Sequence, residues 1–266
     1  MTKIHPTAVI SPSAEIADEV EIGAYCYIGD HVKIGKGTII EPQARVLIHT
    51  TIGERNKISS GAVIGGAPQD VGYKGEPTEI FIGNDNTIRE FVTINRGTTK
   101  QDRKTVIGND NLLMAYVHIA HDDVIGDHCI FANMTQLAGH VTFGDGVVTS
   151  AGVLVHQFVH IGKYCFLAPS ATVNSDALPG CIYFGHPAEA RAINVVGLQR
   201  HGVTGAQLGH FKTAFKKIVR SEATTLDAIA ELEKEEWASE PMVAEFIAAA
   251  KQKGASAKGR GGAADF

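Results

Sequence analysis

The stretch Glu21-Ile22-Gly23-Ala24-Tyr25-Cys26-Tyr27-Ile28-Gly29-Asp30-His31-Val32-Lys33-Ile34-Gly35 decides the fold. Its isoleucines recur at every sixth position, each followed by glycine. The same beat runs back through Ile16 and Ile10 to Ile4, and forward through Ile40, Val46, Ile52 and Ile58 to Ile64. It resumes at Ile82, Ile88 and Ile94, and again at Ile107, Leu113, Ile119, Ile125, Phe131, Leu137, Phe143, Thr149, Val155, Ile161, Leu167 and Val173. Thr149 is the one polar member of that last run. A helical period of 3.6 drifts off such a stripe, and a strand period of 2 demands apolar residues more often. A short strand followed by a sharp turn satisfies it, three such units closing one triangular coil and successive coils stacking at ~4.8 Å. Isoleucine and valine suit the inward position, and the small residue after them is expected to let the backbone turn. The reading is a mostly β chain, a parallel β-helix of about nine coils between Ile4 and Val173.

Two interruptions break the beat. Between Ile64 and Ile82 the six-residue phase would bury Asp70 and Glu76, at a cost of several kcal/mol for an unpaired carboxylate. The segment Gly66-Ala67-Pro68-Gln69-Asp70-Val71-Gly72-Tyr73-Lys74-Gly75-Glu76-Pro77 therefore reads as a loop excursion. A second excursion, polar from Arg96 to Lys104, separates Ile94 from Ile107 and shifts the phase by one. Long loops on a rigid scaffold carry function. The β-helix is expected over 1–190, with excursions near 65–81 and 95–106. From Thr204 the apolar spacing turns helical, with Leu208, Phe211, Ala214, Phe215, Ile218 and Val219 on one face. A helical C-terminal domain is expected over 191–253, and a disordered Gly/Ala-rich tail over 254–266. Lys212, Lys216, Lys217 and Arg220 form a basic strip on its first helix, suited to an acidic partner.

The net charge of −5 argues against a nucleic-acid binder. Cys26, Cys129, Cys165 and Cys181 show no C-x-x-C spacing, which fits a reducing compartment. The chain enters the repeat at Ile4 without a signal-like segment, and no apolar run suits a membrane span, so a cytoplasmic location is expected.

Among the histidines, His118, His121, His140, His156 and His160 fall close together. Stepping 18 residues per coil carries His121 to Gly139 and then to Gln157. His121, Gly139-His140 and His156-Gln157 are thus expected at nearly one angular position over three coils. Such a column supports two chemistries. A neutral imidazole beside Asp122 would act as a general base toward a hydroxyl or amine attacking an acyl carbon, with the Gly139 N–H stabilising the oxyanion. Three histidines would alternatively hold zinc with a bound water, making a hydrolase or a lyase. His118-x-x-His121 is a weak metal signal, since strand neighbours at that spacing face apart.

His118-Ile119-Ala120-His121-Asp122, Leu137-Ala138-Gly139-His140-Val141 and Val155-His156-Gln157-Phe158 resemble the UDP-N-acetylglucosamine O-acyltransferases of lipid A biosynthesis. Gln69-Asp70, Gly75-Glu76-Pro77-Thr78, Arg89-Glu90, Arg96-Gly97-Thr98, Asn194, Gly197-Leu198 and Arg200 match as well. The resemblance implies a left-handed β-helix with a helical C-terminal domain, a homotrimer with sites between subunits, and no metal or soluble cofactor. It implies His121 as general base toward the sugar 3-hydroxyl, Asp122 as its orienting carboxylate and Gly139 as oxyanion donor. Asp70 and His140 match sugar-binding positions, and His156, Gln157, Asn194 and Arg200 match positions that hold the nucleotide or its phosphates. Gln69 and His118 join them as substrate-binding candidates. The implied donor is a 3-hydroxyacyl chain on acyl carrier protein. Three positions depart from the family pattern: Gly72 where it has lysine, with Lys74 as the expected substitute, Asn95 where relatives have histidine, and His201 where they have arginine. Pro169 replaces a glycine that opens the acyl groove in long-chain enzymes, and with Phe166 nearby a shorter acyl chain is expected. The alternatives are N-acylation of a 3-amino UDP-sugar, an acetyl-CoA-dependent sugar acetyltransferase, and the zinc lyase on the same fold.

Overall fold

The computed structural model describes residues 1–255. Short strands, most of two residues, alternate with tight corners and wind into three parallel sheets. The first sheet begins Lys3–Ile4, Glu21–Ile22, Ile39–Ile40; the second begins Val9–Ile10, Tyr27–Ile28; the third begins Glu15–Ile16, Lys33–Ile34. Isoleucine stacks on isoleucine coil after coil, as in Ile4↔Ile22↔Ile40↔Ile58↔Ile88. The first, second and third corners below are those that follow the first, second and third sheets.

Each unit buries two positions where the periodicity showed one. Val20 with Ile22, Cys26 with Ile28 and Val32 with Ile34 are all within 3% of fully buried. The turn is made by the residue three past the isoleucine, which takes a left-handed conformation even when it carries a side chain, as at Tyr25 (φ 58°) and His31 (φ 56°). The glycine directly after the isoleucine has another task. A Cβ on Gly29 would lie 3.1 Å from the Ile48 nitrogen of the next coil. Smallness there serves stacking, which corrects the turn-making role expected of it. Thr149 sits inside because its hydroxyl pairs with that of Thr135 at 2.7 Å. A ladder of inward asparagines runs beside the apolar stacks: Asn56 Oδ1 accepts from the Asn86 N–H, Asn86 Oδ1 from that of Asn111, and Asn111 Oδ1 from that of Cys129.

Both interruptions leave the coil as loops and return in register. Ile52 pairs with Ile82, Ile82 with Ile107, and Ile107 with Ile125. The backbone is irregular over 67–78 and 96–103, strands resuming at Glu79–Ile82 and Lys104–Ile107. Buried Arg96 roots both excursions: its guanidinium donates to the Gly65 carbonyl and, at 3.1 Å, to the Tyr73 hydroxyl.

After the last coil an antiparallel hairpin, Cys181–Gly185 with Ala188–Ile193, extends the first sheet. Among the described residues four α-helices follow: α1 (Val195–Arg200), α2 (Gly205–Phe215), α3 (Thr225–Leu232) and α4 (Pro241–Ala255). Leu208, Phe211, Ala214 and Phe215 are buried as the spacing predicts, while Ile218 and Val219 pack at the margin. Lys253 docks α4 on the β-helix, its ammonium meeting Ser175 Oγ at 3.2 Å and the Asp176 carbonyl at 2.5 Å. Gly254 and Ala255 complete α4, and the rest of the expected tail lies outside the described residues. Of the expected basic strip, Lys212, Lys216 and Arg220 join Arg191 around an apolar hollow of Ile193, Val195 and Phe215. Lys217 turns instead toward Glu231 and Glu235. No helix among the described residues is long and apolar enough to cross a membrane.

Candidate active site

The second corner brings together His121, Asp122 and His140 from neighbouring coils. The strand His118–Ile119 ends there, and the turn residue Asp122 adopts φ 61°. Other turn residues with this conformation are exposed, as Tyr116 is, but the Asp122 carboxylate is fully buried beneath Thr98 of the second excursion. Asp122 Oδ1 accepts the Thr98 N–H at 2.8 Å, and Oδ2 accepts the Thr98 hydroxyl at 2.7 Å. Oδ2 also lies 2.9 Å from His121 Nδ1. A carboxylate can only accept, so in the neutral ring Nδ1 carries the proton and Nε2 the lone pair, the tautomer a general base requires.

Gly139 sits under this ring one coil on. A Cβ there would lie 2.9 Å from His121 Cε1 and 3.1 Å from Nε2, and φ is 91°. Both the ring's space and the backbone call for glycine. His140 follows, its ring 5.1 Å from that of His121 and edge-on to it. Its Nδ1 meets Gln101 Oε1 at 2.8 Å, and burial lowers its proton affinity, leaving Nε2 as an acceptor 3.7 Å from Asp122 Oδ2. Asp70 reaches over from the first excursion, and its carboxylate pairs with Lys100 at 2.7 Å. That bond, together with the Gly72 N–H, holds Asp70 below the usual carboxylate range.

The expected column holds for His121, Gly139 and His140. His156 departs from it. The residue stacked on the His140 ring is Phe158, at 4.6 Å, while His156 is exposed with Nδ1 3.1 Å from the Gln157 carbonyl. At a corner, neighbours two residues apart point in different directions, so equal coil arithmetic does not give equal facing. Asn194 and Arg200 are not beside His121 either. Asn194 caps α1, accepting the Gly197 N–H at 3.0 Å and donating to the Tyr164 carbonyl at 2.8 Å. His201 packs on Tyr164 at 4.1 Å, so α1 and Arg200 overlie the third corner, one side of the triangle away. A side of six residues spans up to about 20 Å.

A cleft of about 790 Å³ runs from Gln69 along the second sheet, past Thr93, His118, Gln136 and Leu154. Its other wall is the column of first-corner turn residues Phe91, Tyr116, Met134 and Gly152. Phe91 and Tyr116 stack at 5.3 Å, and this half-exposed apolar wall suits a hydrocarbon chain. His118 lies at its floor, Nδ1 2.7 Å from Thr93 Oγ1, and burial keeps it neutral. Phe166 and Pro169 do not line this cleft. Sequence reasoning matched Thr98 to the family without giving it a role, and missed Lys100 and Gln101, for which the only signal was the polarity of the second excursion. It also missed Asp123.

Asp123 is wholly buried, and its carboxyl oxygens accept the Ala120 and Val141 N–H groups, both at 2.8 Å. Burial raises its pKa well above the ordinary value. Asp123→Ala leaves two buried donors unpaired, and a loss of about 2–4 kcal/mol is expected, read as a lower urea midpoint. Asp123→Asn, which keeps one acceptor, is expected to lose less; equal stability of all three proteins refutes a stabilising role for these two hydrogen bonds.

His121, Asp122 and His140 also present nitrogen and oxygen atoms within 4.8 Å of one another, a spacing that a metal could use. Here those of His121 and Asp122 are turned on each other, and the Asp122 carboxylate is occupied by Thr98 as well.

The coil and its site define a transferase of the hexapeptide-repeat class, and the model of bacterial transferase hexapeptide repeats matches residues 104–139. The model of the second domain of UDP-N-acetylglucosamine O-acyltransferase matches residues 176–261. The acyl-[acyl-carrier-protein]–UDP-N-acetylglucosamine O-acyltransferase of Stutzerimonas stutzeri is 43% identical over 92% of this chain and 95% of its own. Among solved structures, LpxA from Acinetobacter baumannii superposes with a TM-score of 0.90 at 40% identity, covering 94% of this chain and 96% of that one. UDP-N-acetylglucosamine O-acyltransferase (LpxA) from Moraxella catarrhalis gives 0.89 at 37%, covering 93% and 96%. The chain belongs to the UDP-N-acetylglucosamine O-acyltransferase family, and its fold is the left-handed β-helix expected of that resemblance.

Proposed function

We propose that this enzyme transfers a 3-hydroxyacyl chain from acyl carrier protein to the 3-hydroxyl of UDP-N-acetylglucosamine, the first step of lipid A biosynthesis, in the cytoplasm. The observation that carries the reading is His121 held by Asp122 over Gly139. His121 Nε2 takes the hydroxyl proton as that oxygen attacks the acyl carbon. The Gly139 N–H stabilises the oxyanion, and the protonated imidazole returns its proton to the departing carrier thiol. Neutral His140 and the Asp70 carboxylate accept hydrogen bonds from the sugar. Asn194 is occupied as a helix cap, so its support for nucleotide binding comes through placing α1 and Arg200.

The apolar cleft favours a long acyl donor over acetyl. The hollow ringed by Arg191, Lys212, Lys216 and Arg220 offers an acidic carrier protein a docking surface. Because Arg200 and His121 occupy different corners, the reading includes a homotrimer in which one subunit's third corner completes a neighbour's site.

The test is acyl transfer from a panel of 3-hydroxyacyl carrier proteins to UDP-N-acetylglucosamine and to its 3-amino analogue. Transfer to the hydroxyl sugar is expected, best with donors shorter than the family's longest. Equal turnover of the longest donors removes the chain-length assignment to Pro169. Absence of transfer to the hydroxyl sugar from every donor overturns the proposed reaction.

A further inference from the structure

The family pattern has lysine two residues after the loop aspartate, where this chain has Gly72. Lys74, the substitute expected from the sequence, does not fill that place: its ammonium donates to the Val71 carbonyl of its own loop at 3.1 Å. The cation beside Gly72 comes from the other excursion. Lys100 Nζ lies 2.7 Å from Asp70 Oδ2, and a Cβ built on Gly72 would lie 3.6 Å from both Lys100 Cε and Nζ. The Lys100 ammonium thus lies in van der Waals contact with the place where a side chain at position 72 would start.

Its root is in the catalytic network. The Lys100 N–H donates to Thr98 Oγ1 at 3.2 Å, and that same hydroxyl donates to Asp122. The next residue, Gln101, holds His140. Asp70 is largely covered while the Lys100 side chain is half exposed, so part of the ammonium's three-donor capacity faces outward. Asp70 and Asp122 put two carboxylates at the site, and an anionic substrate is better held where a cation stands beside them.

We propose that Lys100 binds the diphosphate of the sugar nucleotide, supplying from the second excursion the cation that relatives carry at position 72. Asp70 orients the ammonium, and bound diphosphate takes its outward donors. This rests on the reading of UDP-N-acetylglucosamine as acceptor.

The experiment compares steady-state kinetics of the full-length enzyme with those of Lys100→Gln and of the double variant Gly72→Lys/Lys100→Gln. The Gly72 backbone lies outside the left-handed region, and a Cβ meets only Asp70 Oδ1 closely, at 3.1 Å, so lysine fits with a small shift. Lys100→Gln is expected to raise KM for UDP-N-acetylglucosamine about tenfold, leaving KM for the acyl donor within about twofold. The double variant is expected to return within about threefold of wild type, because the cation is restored from the other loop. An unchanged KM, a loss confined to kcat, or failure of the double variant to recover each overturns the proposal, the kcat pattern marking a mere tether between loops. If the unmodified enzyme fails to acylate UDP-N-acetylglucosamine, the acceptor reading fails first and the two failures stay distinct.

Discussion

His121→Ala is expected to lower kcat by about a thousandfold, within the range for loss of a positioned general base. The side chain has no part in the inward stacks, and the His121 carbonyl keeps its bond to the His140 N–H whatever side chain it bears. The fold should therefore survive, and circular dichroism should match wild type. What remains is the Gly139 N–H and substrate binding, so activity should fall to a residue rather than to zero. Asp122→Asn makes the companion measurement. Asp122 accepts from Thr98 through both oxygens and from His121 Nδ1. An amide can accept through only one of them, so His121 loses its tautomer or Thr98 loses its partner. A fall in kcat of about a hundredfold or more is expected. If His121→Ala retains more than about a tenth of wild-type turnover, proton abstraction belongs to another group, and neutral His140 is the nearest.

Mixing two crippled variants is expected to restore activity. His121→Ala removes the base at the second corner, and Arg200→Ala removes a guanidinium from the helix over the third. Without a bidentate arginine to hold phosphate, turnover at low sugar-nucleotide concentration should drop by about a hundredfold. When the two chains are denatured together and refolded as random trimers, a site drawing one residue from each of two subunits is intact in about a quarter of cases. The mixture should then reach about a quarter of wild-type activity, far above either parent. Activity that stays at the average of the parents means that both residues serve a site within one chain, and the cross-subunit reading falls.

Much of the fold was legible because a β-helix repeats one local decision. The position of each isoleucine dictates an inward side chain, and stacking every third unit dictates parallel register, which held through both excursions. The glycine after the isoleucine was legible as a requirement and misread in its cause, because the close approach of the next coil is a contact across sequence. The asparagine ladder was missed for a related reason: a polar residue is tolerable inside only when the coils on either side complete its hydrogen bonds.

The site divided in the same way. His121 over Gly139 follows from the 18-residue step alone. The sequence alone determined the solenoid, the places where it is interrupted and the coils that carry the histidines, since a strict period makes angular position a matter of counting. Only the tertiary structure decided that Phe158 rather than His156 covers His140, that Thr98 and Gln101 brace the pair, and that Lys100 stands beside Gly72. Those residues sit at corners or in loops, where side-chain direction changes with every residue and no period governs what a loop brings back to the coil it left.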